Sequence, residues 1–261
     1  MGEIWIDQLS FLEALEEISD LVERGQGGFV VTPNVDHVVL AEEDERFRQA
    51  YSEAALSLAD GIPVVWASHV LGQVLPEKIS GSDIGPQLLR RAGERGWRVF
   101  FVGAGPGVAE KAAQVARARW NVNVVGTIAP MLSDDVEIEP ALVAQLRSAR
   151  PDLLLVAFGA PKQEIFCHRI AKELRPAVLL GVGATLDFIA GTQKRAPPWM
   201  SRNGLEWLYR LSREPSRLWK RYLVRDPRFL LSVAHTLRLP RSERVLTRPP
   251  VSAPASGIRH G

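Results

Sequence analysis

The chain has 261 residues, 46% hydrophobic and 24% charged, which suits one full α/β domain with an appendage or at most two small domains. Its single cysteine, Cys167, excludes an internal disulfide framework and fits a reducing cytoplasm, and no apolar run reaches the ~18 residues of a membrane span. Charge is uneven: residues 1–194 carry 18 Lys+Arg against 26 Asp+Glu, whereas residues 195–244 carry 12 against 4, so an acidic body precedes a basic segment that calls for a polyanionic partner.

The first eight residues alternate and carry acids, so no secretory leader is expected. A first strand-type run, 29–32, ends in Thr32-Pro-Asn34, and a helical pattern follows over 36–51. Thr32 and Asn34 at a strand end read either as pocket-lining groups or as a turn in which Asn34 or Asp36 caps the helix. His37 reads as a helix-surface residue, since the five histidines form no cluster. A second run, 55–59, ends in Asp60-Gly61 before a helix over 62–71. Asp60 is therefore either a general base facing a ligand crevice or the N-cap of that helix. Lys78, in Pro76-Glu-Lys-Ile79, reads as a phosphate-neutralising or an ordinary surface lysine.

Beyond a helix over 84–95, the strand 98–103 runs into Gly103-Ala-Gly-Pro-Gly107 and a helix over 107–120. Gly103 and Gly105 permit close approach of a phosphate or sugar to the backbone, with a plain tight turn as the alternative. A dinucleotide site wants an acid at the end of the next strand; that strand, 122–126, closes on Gly126-Thr127 without one. A helix over 140–149 leads to the run 152–158 and to Gly159-Ala-Pro-Lys-Gln-Glu164, a glycine turn opening a proline-started helix over 161–174. Cys167 lies on that helix as a small core residue. The last run is 177–182. The strand runs are continuous rather than alternating, as expected when both faces are covered, so the fold class is α/β with a mostly parallel sheet flanked by helices.

Composition changes near Gly191, and the domain boundaries are set at 1–194, 195–239 and 240–261. The middle segment holds Arg210, Arg213, Arg217 and Arg221 among Trp207, Leu208, Leu218, Trp219 and Tyr222. That is a basic amphipathic helix for an anionic lipid interface, or a helix pair that packs its apolar face on the body. The Pro/Ser/Arg-rich stretch from Pro240 reads as a disordered tail. No residue group has metal-ligand spacing, and no Asp-x-Asp follows a strand.

Jointly, Thr32-Pro-Asn34, Leu58-Ala-Asp-Gly61, Lys78-Ile-Ser-Gly-Ser-Asp83, Phe101-Val-Gly-Ala-Gly-Pro-Gly-Val-Ala-Glu-Lys111, Phe158-Gly-Ala-Pro-Lys-Gln-Glu164, Gly181-Val-Gly-Ala184 and Arg202-Asn-Gly-Leu-Glu-Trp-Leu-Tyr-Arg-Leu211 resemble the WecG/TagA/CpsF family, glycosyltransferase family 26. The resemblance spans about 4–235. It implies a Rossmann-like fold and inverting transfer from a UDP-sugar to a polyprenyl-diphosphate-linked acceptor in cell-surface polysaccharide or teichoic acid synthesis. The sugar would be N-acetylmannosamine, its uronic acid or glucose. The implied setting is the cytoplasmic face of the plasma membrane, with peripheral attachment, no cofactor, no metal and no nucleic-acid partner; a homo-oligomer stays open. By motif, Asp60 matches the family's base, Thr32 and Asn34 its pocket-lining residues, and Gln163 its motif glutamine. Asp187 falls where a nucleotide-contacting acid is expected, and Lys78 where some members carry arginine. Members often show Pro-Glu where this chain has Val35-Asp36. Diphosphate charge would fall to the glycine turns, Lys78 and the C-terminal arginines. Two rival readings stand beside this one: a nucleotide-dependent oxidoreductase resting on Gly103–Gly107, and a non-catalytic lipid- or nucleic-acid-binding protein resting on the basic segment.

Overall fold

The computed structural model describes residues 4–240, 244, 247 and 248. In chain order the body contains β1 (Ile6–Asp7), α1 (Phe11–Glu23), β2 (Gly28–Val31), α2 (Val35–Glu43), α3 (Glu45–Glu53), β3 (Leu56–Ser57), α4 (Ile62–Leu71) and α5 (Gly81–Arg95). It continues with β4 (Arg98–Gly103), α6 (Val108–Trp120), β5 (Asn123–Ile128), α7 (Pro140–Ala149), β6 (Leu153–Ala157), α8 (Lys162–Ala171), β7 (Val178–Gly181) and α9 (Thr185–Ala190). The basic segment forms α10 (Pro198–Arg202), α11 (Glu206–Arg213), α12 (Pro215–Lys220), a π-helical turn (Arg221–Arg225) and α13 (Arg228–Arg238). A short strand, β8 (Thr247–Arg248), follows.

Six strands form one parallel sheet in the order β3-β2-β7-β6-β4-β5. The central strands feed both layers. Phe100, Val102, Leu154, Val156 and Leu179 pack beneath α2, α3 and α8, whereas Val99, Phe101, Leu153, Leu155 and Leu180 pack beneath α1, α5 and α6. Burial on both faces explains the continuous apolar runs, and the parallel arrangement brings every strand's carboxyl end to one edge. The fold is therefore the expected Rossmann-like α/β type.

Three local expectations change. The helix expected over 36–51 is two, because Asp44 leaves the helical region (φ −120°, ψ 110°) and its carboxylate caps α3 through the amides of Arg46 (2.9 Å) and Phe47 (3.4 Å). The periodicity reading also omitted α1, although Ser10 and Glu13 form a complete capping box before it. Finally, Thr247 and Arg248 lie in the expected tail but pair in parallel with Ile6 and Asp7. The other tail positions, except Pro240 and Arg244, lie outside the described residues.

Arg248 donates from Nε (2.7 Å) and Nη2 (2.9 Å) to the Asp7 carboxylate, which also accepts from the Ser57 amide (2.8 Å). The Asp7 side chain is 2% exposed and Arg248 33%. Breaking a fully buried pair by removing one partner costs about 3–5 kcal/mol; with Arg248 partly solvated, Arg248→Ala is expected to cost about 2–3 kcal/mol in urea unfolding. A midpoint identical to that of the unmodified protein would mean the contact contributes nothing.

The basic segment is fastened to α2. Phe229 is buried in the core layer under α2, Ser232 donates to Glu42 (2.6 Å), and Arg228 pairs with Glu43. Arg225 (3.0 Å) and Arg221 (3.3 Å) both reach Asp36, whose side chain is 4% exposed.

Candidate active site

Four strand ends build the site. After β2, Thr32 is buried and Asn34 performs both roles open to it. Its Oδ1 accepts from the amides of Asp36 (3.0 Å) and His37 (3.3 Å), capping α2, and from Arg221 Nη2 (3.3 Å). After β3, the Asp60 amide donates to Pro33 O (2.8 Å), which laces the two turns together. Asp60 does not cap α4: Gly61, at φ 115°, holds the cap position and no side chain serves it. The Asp60 carboxylate is thus left facing the cleft.

After β6 and β7, Gln163 joins two turns. Its Oε1 accepts from the Gly183 amide (2.9 Å) and its Nε2 donates to Glu164 Oε1 (2.9 Å). This packing requires glycine at 181, where a Cβ would sit 2.4 Å from Gln163 Nε2. Lys78 is not an ordinary surface lysine. It is 14% exposed, and its Nζ meets Ser201 Oγ (3.3 Å), Asp83 (3.4 Å) and Glu206 (4.0 Å). It therefore ties the body to α10 and α11.

Two cavities meet at Asp60. The outer one, about 420 Å³, lies between α4 and the basic segment; Lys78, Arg210 and Arg221 border it together with Ile62, Trp207 and Leu230. The inner one, about 90 Å³, is bordered by Thr32, His37, Gln163 and Gly183. Asn34, Asp60 and Arg210 border both. Burial raises the Asp60 pKa from 3.8 to about 6; Lys78 and Arg210 pull it down, and Glu206 and Asp83 push it up. The result is a carboxylate able to take a proton near neutrality, set at the junction of a polar inner chamber and a larger, partly apolar outer one.

Other expected site residues lie elsewhere. Gly103 and Gly105 sit at the end of β4, one strand beyond β6, and border neither cavity. Gly103 (φ 93°) serves packing, because a Cβ there would lie 2.6 Å from Ala157 O. Asp187 accepts from Thr192 Oγ1 (3.0 Å) and also borders neither cavity. Arg213 and Arg217 are exposed, Arg217 pairing with Glu214. Arg221 turns inward to Asn34 and Asp36 rather than outward.

The reading of His37 is corrected: it is buried against Tyr51 and borders the inner chamber. Glu206, Tyr222 and Asp226 were also missed, yet all three border the outer chamber. Glu206 pairs with Arg210 one turn along α11, and its place inside Arg202-Asn-Gly-Leu-Glu was the available signal. Burial lifts Asp226 to about 6, with Arg221 opposing. No signal in the local pattern marked Tyr222 or Asp226.

A family model described as the glycosyl transferase WecG/TagA/CpsF family matches residues 1–243. The chain belongs to this family. Among curated proteins, this WecG/TagA/CpsF member is 34% identical over 225 residues to the N-acetylglucosaminyldiphosphoundecaprenol N-acetyl-beta-D-mannosaminyltransferase of Bacillus spizizenii; the match covers 86% of this chain and 84% of the relative. Family membership makes the chain a glycosyltransferase of cell-surface polysaccharide synthesis, in place of an oxidoreductase or a purely binding protein. Among the described residues, no helix is long and apolar enough to cross a membrane.

Proposed function

We propose that this chain transfers an N-acetylmannosamine-type sugar from a UDP-sugar to an N-acetylglucosamine unit on a polyprenyl diphosphate, with inversion in a single displacement. The observation that carries this reading is Asp60 at the meeting point of two chambers, flanked by Arg210. The inner chamber takes the donor sugar and the outer chamber the acceptor. An acceptor hydroxyl must lose its proton as it attacks the anomeric carbon, and Asp60 takes it. Negative charge grows on the departing diphosphate; Arg210, aimed at both chambers, stabilises it. Lys78 and Glu206 hold α11 in register above the carboxylate and exclude water that would otherwise hydrolyse the donor. The test is a UDP-release screen of several UDP-sugars against a short-chain lipid-linked N-acetylglucosamine acceptor. Release that requires acceptor, and is greatest with UDP-N-acetylmannosamine, is expected; no acceptor-dependent release from any UDP-sugar sinks the reading.

The acceptor's lipid implies work at a membrane surface. Trp199, Trp219, Leu223 and Leu230 are exposed on the basic segment, beside the exposed Arg213, Arg217 and Lys220. Trp66 and Val70 are exposed on α4, whose first turn borders the outer chamber through Ile62 and Pro63. Each basic side chain near an anionic bilayer contributes about 1 kcal/mol, screened within a Debye length. Binding to anionic vesicles is therefore expected to fall steeply with salt. Combined Arg213→Glu and Arg217→Glu should weaken it at least about tenfold without lowering thermal stability. Arg221 is the wrong probe, because its reversal would set a second carboxylate against the buried Asp36. Co-sedimentation indifferent to salt and to both reversals would assign the segment to packing alone.

A further inference from the structure

His37 is a polar side chain at the inner chamber to which the mechanism above gives no role. His37 lies in the first turn of α2, directly after the Asn34 cap, and is 5% exposed. Two aromatic rings fix its plane: Phe47 meets it edge-on with centroids 5.5 Å apart, and Tyr51 lies 6.2 Å away. Its Nδ1 is 2.7 Å from the Tyr51 hydroxyl.

That hydrogen bond determines what the other nitrogen presents. Tyr51 is buried, and burial keeps its phenol protonated far into the alkaline range. No other acceptor contacts the phenol among the described residues, so its O–H donates to Nδ1 and the ring proton resides on Nε2. Burial, aided by the Arg221 charge, lowers the imidazole pKa to about 3, so the ring stays uncharged at working pH. Among the described residues Nε2 has no partner, while the ring borders the inner chamber with Thr32, Asn34, Asp60, Gln163 and Gly183. A ring N–H without a protein acceptor at the wall of a polar cavity is satisfied by what enters that cavity, water or ligand.

We propose that His37 Nε2 donates a hydrogen bond to an oxygen of the transferred sugar, a hydroxyl or the N-acyl carbonyl, and so helps select the donor. This rests on the glycosyl-transfer reading. Within that reading, the chemistry of the chamber favours a sugar over the other parts of the donor. An uncharged imidazole is a poor diphosphate clamp, and Arg210 already borders the chamber as a cation. At about 90 Å³ the chamber suits one ring or its substituent rather than a nucleoside diphosphate. The anomeric carbon must also lie within reach of the acceptor hydroxyl whose proton Asp60 takes, and Asp60 borders the same chamber.

The test measures steady-state KM for the UDP-sugar and the inhibition constant for UDP, together with thermal stability, in His37→Leu. Leucine fills much of the same space without a donor. The UDP-sugar KM is expected to rise about five- to tenfold, the worth of one neutral hydrogen bond, with UDP inhibition unchanged. His37→Gln, which keeps an N–H donor, should recover part of the loss. Tyr51→Phe, which frees the ring proton to occupy either nitrogen, should raise KM by a smaller factor. If His37→Leu does not fold, His37→Ala carries the same comparison. An unchanged UDP-sugar KM in a folded variant overturns the inference, as does UDP inhibition weakening in parallel, which would place the effect on the nucleotide or on the fold. An unmodified chain that binds no UDP-sugar overturns the glycosyl-transfer reading and this inference together, whereas normal wild-type turnover with an indifferent His37→Leu overturns the inference alone.

Discussion

Asp60→Asn is expected to lower transfer about a hundredfold to ten-thousandfold while leaving UDP affinity near its original value. The amide keeps the shape of the side chain and loses its capacity to accept a proton. The same substitution should raise stability at neutral pH. Burial lifts the Asp60 pKa from 3.8 to about 6. The folded state thus favours the protonated form, and the stability this contributes is complete below pH 3.8 and lost as pH rises through about 6. An asparagine carries no such loss, so above pH 6 the variant should be more stable than the unmodified protein by at most about 3 kcal/mol, read as a higher melting temperature. Unmodified activity should in turn fall as pH drops below about 6, when the base is protonated. Turnover of Asp60→Asn within a few-fold of the original, or a flat acidic limb, would remove Asp60 from the role of base.

Arg210→Ala is expected to lower kcat about a hundred- to a thousandfold, the usual loss when a preorganised donor to developing negative charge is removed. Arg210 is the arginine of the basic segment that borders both chambers, and it pairs with the half-buried Glu206. Its loss has a second consequence. Arg210 opposes the upward shift at Asp60, so without it the acidic limb of the pH–rate profile should move to higher pH. Arg210→Lys keeps the charge but not the planar fork and should fall between the two. A kcat within a few-fold of the original, with an unmoved acidic limb, would confine Arg210 to holding α11. Circular dichroism and melting of both variants separate that outcome from unfolding.

Much of the framework was legible from local pattern. Strands buried on both faces must be continuously apolar, so the runs 29–32, 152–158 and 177–182 announced a covered parallel sheet, and the polar turns at their ends announced its ligand edge. Asp60 stood out because a carboxylate beside glycine at a strand end has two uses, and the backbone settled between them: Gly61 holds the cap position, leaving the carboxylate to the cleft. The break at Asp44 was readable in principle, as was the capping box at Ser10, since both are local backbone chemistry.

The arginines show where local pattern ends. Arg210, Arg213, Arg217 and Arg221 share one composition and one helical period, yet Arg210 enters the chambers, Arg213 and Arg217 face solvent, and Arg221 reaches Asn34, 187 positions earlier in the chain. Periodicity assigns a residue to a face of its own helix; what that face meets depends on how distant segments dock, and no local spacing encodes it. The same reason placed the Gly103 turn one strand away from the chambers and drew His37 inward against Tyr51. For this protein, the order of apolar runs and turns determined the sheet, its ligand edge and the candidate base, because those follow from burial and backbone geometry within a few residues. The two chambers, the choice among four similar arginines and the imidazole at the inner wall were decided only by the tertiary structure, because each is a meeting of side chains that only long-range packing brings together.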